Sequence, residues 1–315
     1  MKLCSSGRCK KLFIISLAIV VIVILGLVIW QQLKKPQPAA HVKSAASRAV
    51  TSKPVAPKAT TPSTSAQTNQ LQQIINSWAA SAQPIQYAIS VRQLGGPMLS
   101  ANYRATTQMT TASTYKIYVA YAMLYGIEHG SFSMSQVTAG DPADTISYCL
   151  QQMILISDND CSEDLMSLYG FAKLTEFIQA QGFTSTNIDN YDQAGNMTAA
   201  NKVSTANDEL NFLYRLQAGQ LLNNQDTNYL LQLMEKQQLR QSIPAGVPAG
   251  ITVADKPGWL ANVETDAAIV YGKNSTYLLV ILSNGSTEKP LANLSKIIYD
   301  YLENGVIDPM NTQAS

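Results

Sequence analysis

Hydrophobic and polar positions divide the chain into three parts. Residues 12–30 carry no charged side chain, and as a helix this run would span about 28 Å, close to the thickness of a bilayer core. Residues 31–67 are rich in Pro, Ala, Ser, Thr, Lys and Gln, a composition that buries too little apolar surface to fold. Regular apolar spacing begins after this segment. We therefore expect a transmembrane helix, a disordered linker and a folded domain over 68–315.

The charges around the apolar run predict how it crosses the membrane. Residues 1–11 form a basic segment, which favours a cytoplasmic N-terminus and an extracytoplasmic domain. Lys34 and Lys35 on the other side weaken this asymmetry. A signal peptide cleaved near Ala39 is the alternative, although its apolar core would be shorter than this run. The expected location is the cell membrane, with a single span.

The domain begins and ends with patterns typical of strands. Helical spacing over 71–78 is followed by an alternating strand, Tyr87 to Leu94, and the Gly95-Gly96-Pro97 turn predicts a hairpin that returns over 98–103. Near the C-terminus, strands are predicted over 251–256, 267–272 and 277–283, and a helix over 291–302 closes the chain.

Helical patterns fill the middle of the domain. They cover 113–129, 144–156, a segment that ends at Leu168, 171–180, 204–216 and 226–237, while 184–203 resembles a long loop or loose hairpin. We predict an α+β fold of the α/β sandwich type. Its antiparallel sheet is built from the N- and C-terminal strands and flanked by helices, an all-helical lobe is inserted, and a cleft lies between lobe and sheet.

Composition excludes several classes of function. A net charge of +1 without a clustered basic face argues against nucleic-acid binding, and two histidines without zinc-ligand spacing argue against a metal site. We expect no cofactor. Cys149 and Cys161 lie in the extracytoplasmic domain and bracket the segment Ser157-Asp158-Asn159, so a disulfide across this loop is predicted, with two buried free thiols as the alternative.

Candidate chemistry lies in Ser113-Thr114-Tyr115-Lys116. Residues three apart share one face of a helix, so the serine oxygen and the lysine amine can come within hydrogen-bond reach. A serine becomes a good nucleophile when a base takes its proton, and the lysine can supply that base. The pattern S-x-x-K also occurs by chance, so it needs partners.

Two further motifs follow in order, Ser157-Asp158-Asn159 and Lys256-Pro257-Gly258. Taken singly, the second motif could be a helix-capping loop and the third a strand end and turn. As an ordered set on a helix, a loop and a strand, the three motifs resemble those of penicillin-recognising serine enzymes, and class A β-lactamases above all. The resemblance covers roughly residues 70 to 305.

The resemblance implies a role for each residue. Ser113 would be the nucleophile, and Lys116 the base, its pKa lowered by burial and by the neighbouring cation Lys256. Ser157 would pass a proton to the leaving nitrogen. Asn159 would hold the substrate amide, and the backbone amides of Ser113 and Trp259 would bind the oxyanion. Gly258 would also contribute to substrate binding, and Asp158 would brace its own loop.

The sequence departs from the family pattern at two places. Pro257 stands where a Thr or Ser hydroxyl usually binds the substrate carboxylate. The loop that usually supplies a deacylating glutamate has none, and its nearest match puts Asp192 in that position and Asn196 at the loop asparagine. A hairpin with its turn at 194–196 is the alternative interpretation of that loop. An aspartate would stand farther from the hydrolytic water, so we expect slow deacylation.

The expected activity is that of a serine hydrolase of the class A β-lactamase type, which cleaves β-lactams or related amides through a Ser113 acyl-enzyme. One alternative is a D,D-peptidase or transpeptidase that acts on peptidoglycan stem peptides. Another is a penicillin-binding sensor that acylates and stalls. The expected partners are these small molecules and the membrane, and the domain is expected to be monomeric.

Overall fold

The computed structural model describes residues 63–138, 140, 143–189 and 202–305. The predicted span at 12–30 lies outside these residues, as do Asp192 and Asn196. Among the residues described, no helix is both long and apolar enough to cross a membrane. The predicted linker proves too long at its end, because helix α1, Thr64–Ser81, begins inside it, and Ser63 caps this helix by accepting from the Ala66 amide.

The strands near the two ends of the domain form one antiparallel sheet. They are β1, Gln86–Leu94, β2, Ser100–Tyr103, β5, Thr252–Leu260, β6, Val263–Tyr271, and β7, Thr276–Asn284. Their order in the sheet is β2-β1-β7-β6-β5. Strand β1, near the start of the domain, therefore pairs with β7, near its end, and β5 lies at one edge of the sheet.

Helices cover both faces of this sheet. Alternate residues of β7 point to opposite faces, so Leu279 and Ile281 pack with α1 and the C-terminal helix α8, Glu288–Asn304, whereas Leu278 and Val280 pack with the helical lobe. The predicted sandwich of sheet and helices is therefore observed.

The helical lobe is built around α2, Lys116–Glu128, which is buried on nearly all sides. Around it lie α3, Ile146–Leu155, α4, Asn159–Tyr169, α5, Phe171–Ala180, α6, Ala206–Gln217, and α7, Asn224–Glu235. A short ladder between β3, Met109–Thr110, and β4, Val203–Ser204, lies where the chain enters α2.

The helix predicted to start at Ser113 begins three residues later. Ala112–Tyr115 form a 3-10 turn, and the α-helix begins at Lys116. The Thr114 amide donates to the Thr111 carbonyl within the turn, and the Thr111 amide donates to the distant Lys202 carbonyl, which constrains the entry from outside the helix. Long-range bonds of this kind cannot be inferred from helical periodicity.

Candidate active site

Ser113 is half-buried and lies in the 3-10 turn immediately before helix α2. The residue before it, Ala112, has a φ of 45°, a left-handed conformation that is costly for a residue with a Cβ. The bonds from Thr111 to the Lys202 carbonyl hold this strained entry in place. The Ser113 amide consequently lies at the N-terminal end of a helix, where backbone amides favour a negative charge.

The edge strand β5 packs directly against this turn. A Cβ added at Gly258 would lie 2.3 Å from the Ser113 backbone nitrogen, so only glycine allows the close approach. The hydroxyl of Thr265 on β6 lies 2.9 Å from the Thr111 carbonyl oxygen and 3.0 Å from the Gly258 carbonyl oxygen. Because a hydroxyl has one hydrogen, Thr265 can donate to only one of these oxygens at a time, and its bond to Thr111 ties the turn to β6. No sequence motif singled out this residue.

Two lysine amines meet at the hydroxyl of Ser157. The Lys256 amine donates to Ser157 Oγ at 2.9 Å, and the Lys116 amine lies 3.3 Å from the same oxygen. Lys116 also donates to the Ser157 carbonyl at 2.6 Å and to Asn159 Oδ1 at 2.7 Å, whereas Lys256 donates to the Pro257 carbonyl at 2.7 Å. Both lysines are fully buried. The structure therefore brings residues of all three motifs together.

Burial makes both amines poor at holding a proton. Desolvation, with the charge of Lys202, lowers the pKa of Lys116 to about 7, against the opposing effect of Asp158 and Glu163. Desolvation, with the charge of Lys116, likewise lowers the pKa of Lys256 to about 7. Each amine can thus give or take a proton near neutral pH.

Lys202 was missed in the sequence and adds a further cation beside the site. Its charge lowers the pKa of Lys116, in addition to the mutual repulsion of Lys116 and Lys256 that the sequence led us to expect. The amines of Lys202 and Lys116 lie 4.0 Å and 5.9 Å from the ring centroid of Tyr115, and Lys202 is buried. Desolvation lowers its own pKa to about 8. Nothing in the local sequence around Lys202 indicates this placement.

The predicted hydrogen bond between Ser113 Oγ and Lys116 is not formed. Within the described residues, Ser113 Oγ has no hydrogen-bond partner, and the lysine amine points to Ser157 and Asn159. Catalytic hydrogen bonds are often long before substrate binds, so this geometry leaves the chemistry of the pair intact.

The second motif has the predicted loop form and also caps a helix. Ser157 has a φ of 62°, and Asp158 is the N-cap of α4, accepting from the Cys161 amide at 2.8 Å. Cys149 on α3 and Cys161 on α4 are joined by a disulfide, the pairing expected from the sequence. The loop that presents Ser157 is therefore held by a covalent bond and a helix cap.

Beyond Gly258, the strand end opens to solvent. Trp259 is 51% exposed and lines a cleft of about 270 Å³ together with Leu239, Gln241, Glu264 and Glu288. Burial and the nearby charge of Glu288 raise the pKa of Glu264. Of the residues described, those that line this cleft include two carboxylic acids and no lysine or arginine, so they offer no cation to a substrate carboxylate.

The comparisons with known proteins bear on the family and the fold. A model of the beta-lactamase enzyme family matches residues 68–302, most of the chain. The chain belongs to the beta-lactamase enzyme family. No curated protein matches the sequence.

Solved structures share the fold of this family member. PBP-A has 21% identity and a TM-score of 0.66, over 76% of this chain and 96% of its own. A mutant of PBP-A in an acyl-enzyme complex with penicillin G has 20% identity and a TM-score of 0.66, over 76% and 97% of the two chains. A beta-lactamase from Chitinophaga pinensis has 19% identity and a TM-score of 0.67, over 75% and 100%. These similarities confirm the predicted fold, and with the family match they identify the chain as a hydrolase of the serine β-lactamase fold.

Proposed function

We propose that this chain is a serine hydrolase of the class A β-lactamase type that forms an acyl-enzyme on Ser113. The observation that carries the proposal is the meeting of two buried amines at the Ser157 hydroxyl, beside the turn that holds Ser113. A nucleophile, a base and a proton donor for the leaving group are the groups that acyl transfer needs.

Acylation then requires two proton transfers, one from the Ser113 hydroxyl and one to the leaving nitrogen. Neutral Lys116 takes the hydroxyl proton of Ser113 as its oxygen attacks the substrate carbonyl carbon. When the carbon–nitrogen bond breaks, the Ser157 hydroxyl gives its proton to the leaving nitrogen and is reprotonated by Lys116 or Lys256. Asn159, whose Oδ1 accepts from Lys116, is exposed enough to hold the substrate amide.

The oxyanion would be held by the backbone amides of Ser113 and Trp259. The close approach of Gly258 to the Ser113 nitrogen supports this assignment, because it brings strand β5 against the turn that precedes helix α2. A helix N-terminus adds its dipole to the first of these amides.

Deacylation is the step that separates the candidate activities. Residues 184–203 contain no glutamate, so a hydrolytic water would depend on Asp192 or on another base. Slow deacylation favours the second candidate, a D,D-peptidase, transpeptidase or stalled penicillin-binding sensor. The solved acyl-enzyme of the PBP-A mutant makes penicillin G the natural probe for this chain.

The substrate carboxylate would meet an unusual site. Pro257 has neither hydroxyl nor backbone N–H to offer, and Glu264 and Glu288 lie in the adjoining cleft. We expect anionic β-lactams to acylate Ser113 slowly for this reason.

The apolar run at 12–30 supports a membrane-tethered domain outside the cytoplasm.

Two probes distinguish the candidates. Steady hydrolysis of a chromogenic cephalosporin by the full-length protein would support the β-lactamase. A stable label from a fluorescent penicillin, without turnover, would support the peptidase or sensor. Asp192→Asn should prolong the label if Asp192 is the deacylating base, with Asp189→Asn as the matched control. If Ser113→Ala labels as the unchanged protein does, the proposed function is wrong.

A further inference from the structure

A buried acid that no motif singled out lies against the nucleophile turn. Glu209 is fully buried on helix α6, on the same stripe as Phe212, Leu213 and Leu216. Burying a carboxylate among apolar side chains is costly unless it is neutral or well paired. Its position therefore requires a physical explanation.

The acid contacts the chain between Ser113 and Lys116. Glu209 Oε1 lies 2.7 Å from Thr114 Oγ1, which also lies 3.0 Å from the Thr111 carbonyl oxygen. A hydroxyl has one hydrogen, so Thr114 can donate to only one of these two acceptors. If Glu209 is protonated, it donates to Thr114 Oγ1 and leaves the threonine hydrogen for Thr111.

The surroundings favour the protonated acid. Burial, with the charges of Asp208 on α6 and Asp266 on β6, raises the pKa of Glu209 to about 8, against the effect of the Thr114 hydroxyl. Asp208 is itself engaged by the Thr186 hydroxyl and the Ser185 amide. From α2, Tyr118 faces the same region, and burial raises its pKa far above the usual value, so it stays neutral. Glu209 Oε2 has no hydrogen-bond partner in the described part of the chain, as suits a carbonyl-type oxygen better than an ionised one.

We propose that Glu209 is a positioning residue for the nucleophile, a neutral acid whose hydrogen bond to Thr114 closes the turn that carries Ser113. The inference rests on the proposed function for its catalytic consequence. Ionised Glu209 would take the Thr114 hydrogen, and the Thr111 carbonyl would lose one of its donors. That loss occurs beside the strained Ala112, where the turn has least tolerance for it.

The test compares Glu209→Gln with Glu209→Met in the full-length protein. The glutamine amide donates to Thr114 Oγ1 at every pH, and methionine fills the space without donating. We measure the labelling rate of Ser113 by a fluorescent penicillin from about pH 6 to about pH 9.5. We expect the glutamine variant to match the unchanged protein below about pH 7 and to exceed it increasingly as the pH rises through about 8, the pKa of Glu209. We expect the methionine variant to be labelled about tenfold more slowly than the glutamine variant at every pH, because it lacks the hydrogen bond to Thr114 Oγ1.

A second measurement does not depend on acylation. Amide hydrogen exchange of residues 112–116 is compared at equal pH in the unchanged protein and in Glu209→Gln. Above about pH 8 we expect faster exchange in the unchanged protein only. A rate ratio and an exchange ratio that stay constant with pH would overturn the inference, as would a methionine variant indistinguishable from the glutamine variant. Failure of labelling in all proteins, with the exchange difference present, would instead refute the proposed function.

Discussion

At the scale of single residues, the three motifs predicted which side chains meet, and the resemblance implied the lowered pKa of Lys116, but neither pointed to Lys202 or Glu209. Lys116, Ser157 and Lys256 are joined by hydrogen bonds, as the motif order led us to expect. Lys202 and Glu209 were missed because their burial depends on contacts distant in sequence. A signal existed for Glu209, a lone acid on the apolar stripe of a helix, but the local sequence offered none for Lys202.

Lys202 should set the pH at which Lys116 can act as a base. Lys202→Met removes the cation and keeps an aliphatic chain over Tyr115, so the pKa of Lys116 should rise above about 7. The acid limb of the labelling rate against pH should therefore move to higher pH. Lys202→Arg, which keeps the charge, is the control. A limb that stays in place in Lys202→Met would contradict this role.

Pro257 should limit the use of anionic substrates. Pro257→Thr supplies a hydroxyl for the substrate carboxylate, and a hydrogen bond to a charged group is worth about 2 kcal/mol, or roughly thirtyfold in rate. We expect faster labelling by penicillin G. Pro257→Val, which restores the N–H without the hydroxyl, separates the two effects. An equal gain in both variants would show that the hydroxyl is not responsible.

At the scale of elements, periodicity located the helices and strands but misplaced several helix starts, those of α1 and α2 among them. Helix α1 begins at Thr64 because Ser63 caps it, and α2 begins at Lys116 because Thr111 is bonded to Lys202 and ties down the turn before it. Amphipathic spacing reports which face of an element is buried, whereas caps and long-range backbone bonds decide where it starts.

The disulfide between α3 and α4 should stabilise the loop that presents Ser157. Replacing both cysteines by serine removes a closed loop with a sequence separation of 12, and we expect a loss of about 3 kcal/mol in the free energy of unfolding. Urea unfolding of the variant and of the unchanged protein measures it. Single variants are avoided because a free thiol could react. Equal unfolding midpoints would show that the bond does not stabilise the fold.

At the scale of the whole molecule, strand-like patterns at both ends of the domain predicted the sheet, and the helical patterns between them predicted the lobe. Where the lobe meets the sheet, Lys116 and Lys256 are fully buried, and ionisable groups are rarely buried in a core unless function requires them. Because the pKa of Lys116 is about 7 in the folded protein and 10.5 for an ordinary exposed lysine, the unfolded chain binds more protons between these values. Lys116 therefore lowers stability most below about pH 7, and this penalty falls as the pH rises towards about 10.5.

Lys116→Met should consequently stabilise the fold and abolish activity. We expect a higher free energy of unfolding than in the unchanged protein, with the difference larger near pH 6 than near pH 10. Urea unfolding at several pH values measures it, and Lys173→Met, at a lysine outside the site, is the control. A difference that does not change with pH would contradict the assignment of a buried, easily deprotonated amine. The variant should also fail to acylate.

The central claim, acylation of Ser113, is tested most directly by mass spectrometry of the full-length protein after mixing with penicillin G. The account predicts that one penicillin G adds to each chain, on the peptide that contains Ser113, and that Ser113→Ala gains no mass. An addition that persists in Ser113→Ala, or no addition to the unchanged protein at any pH at which it is folded, would contradict the account.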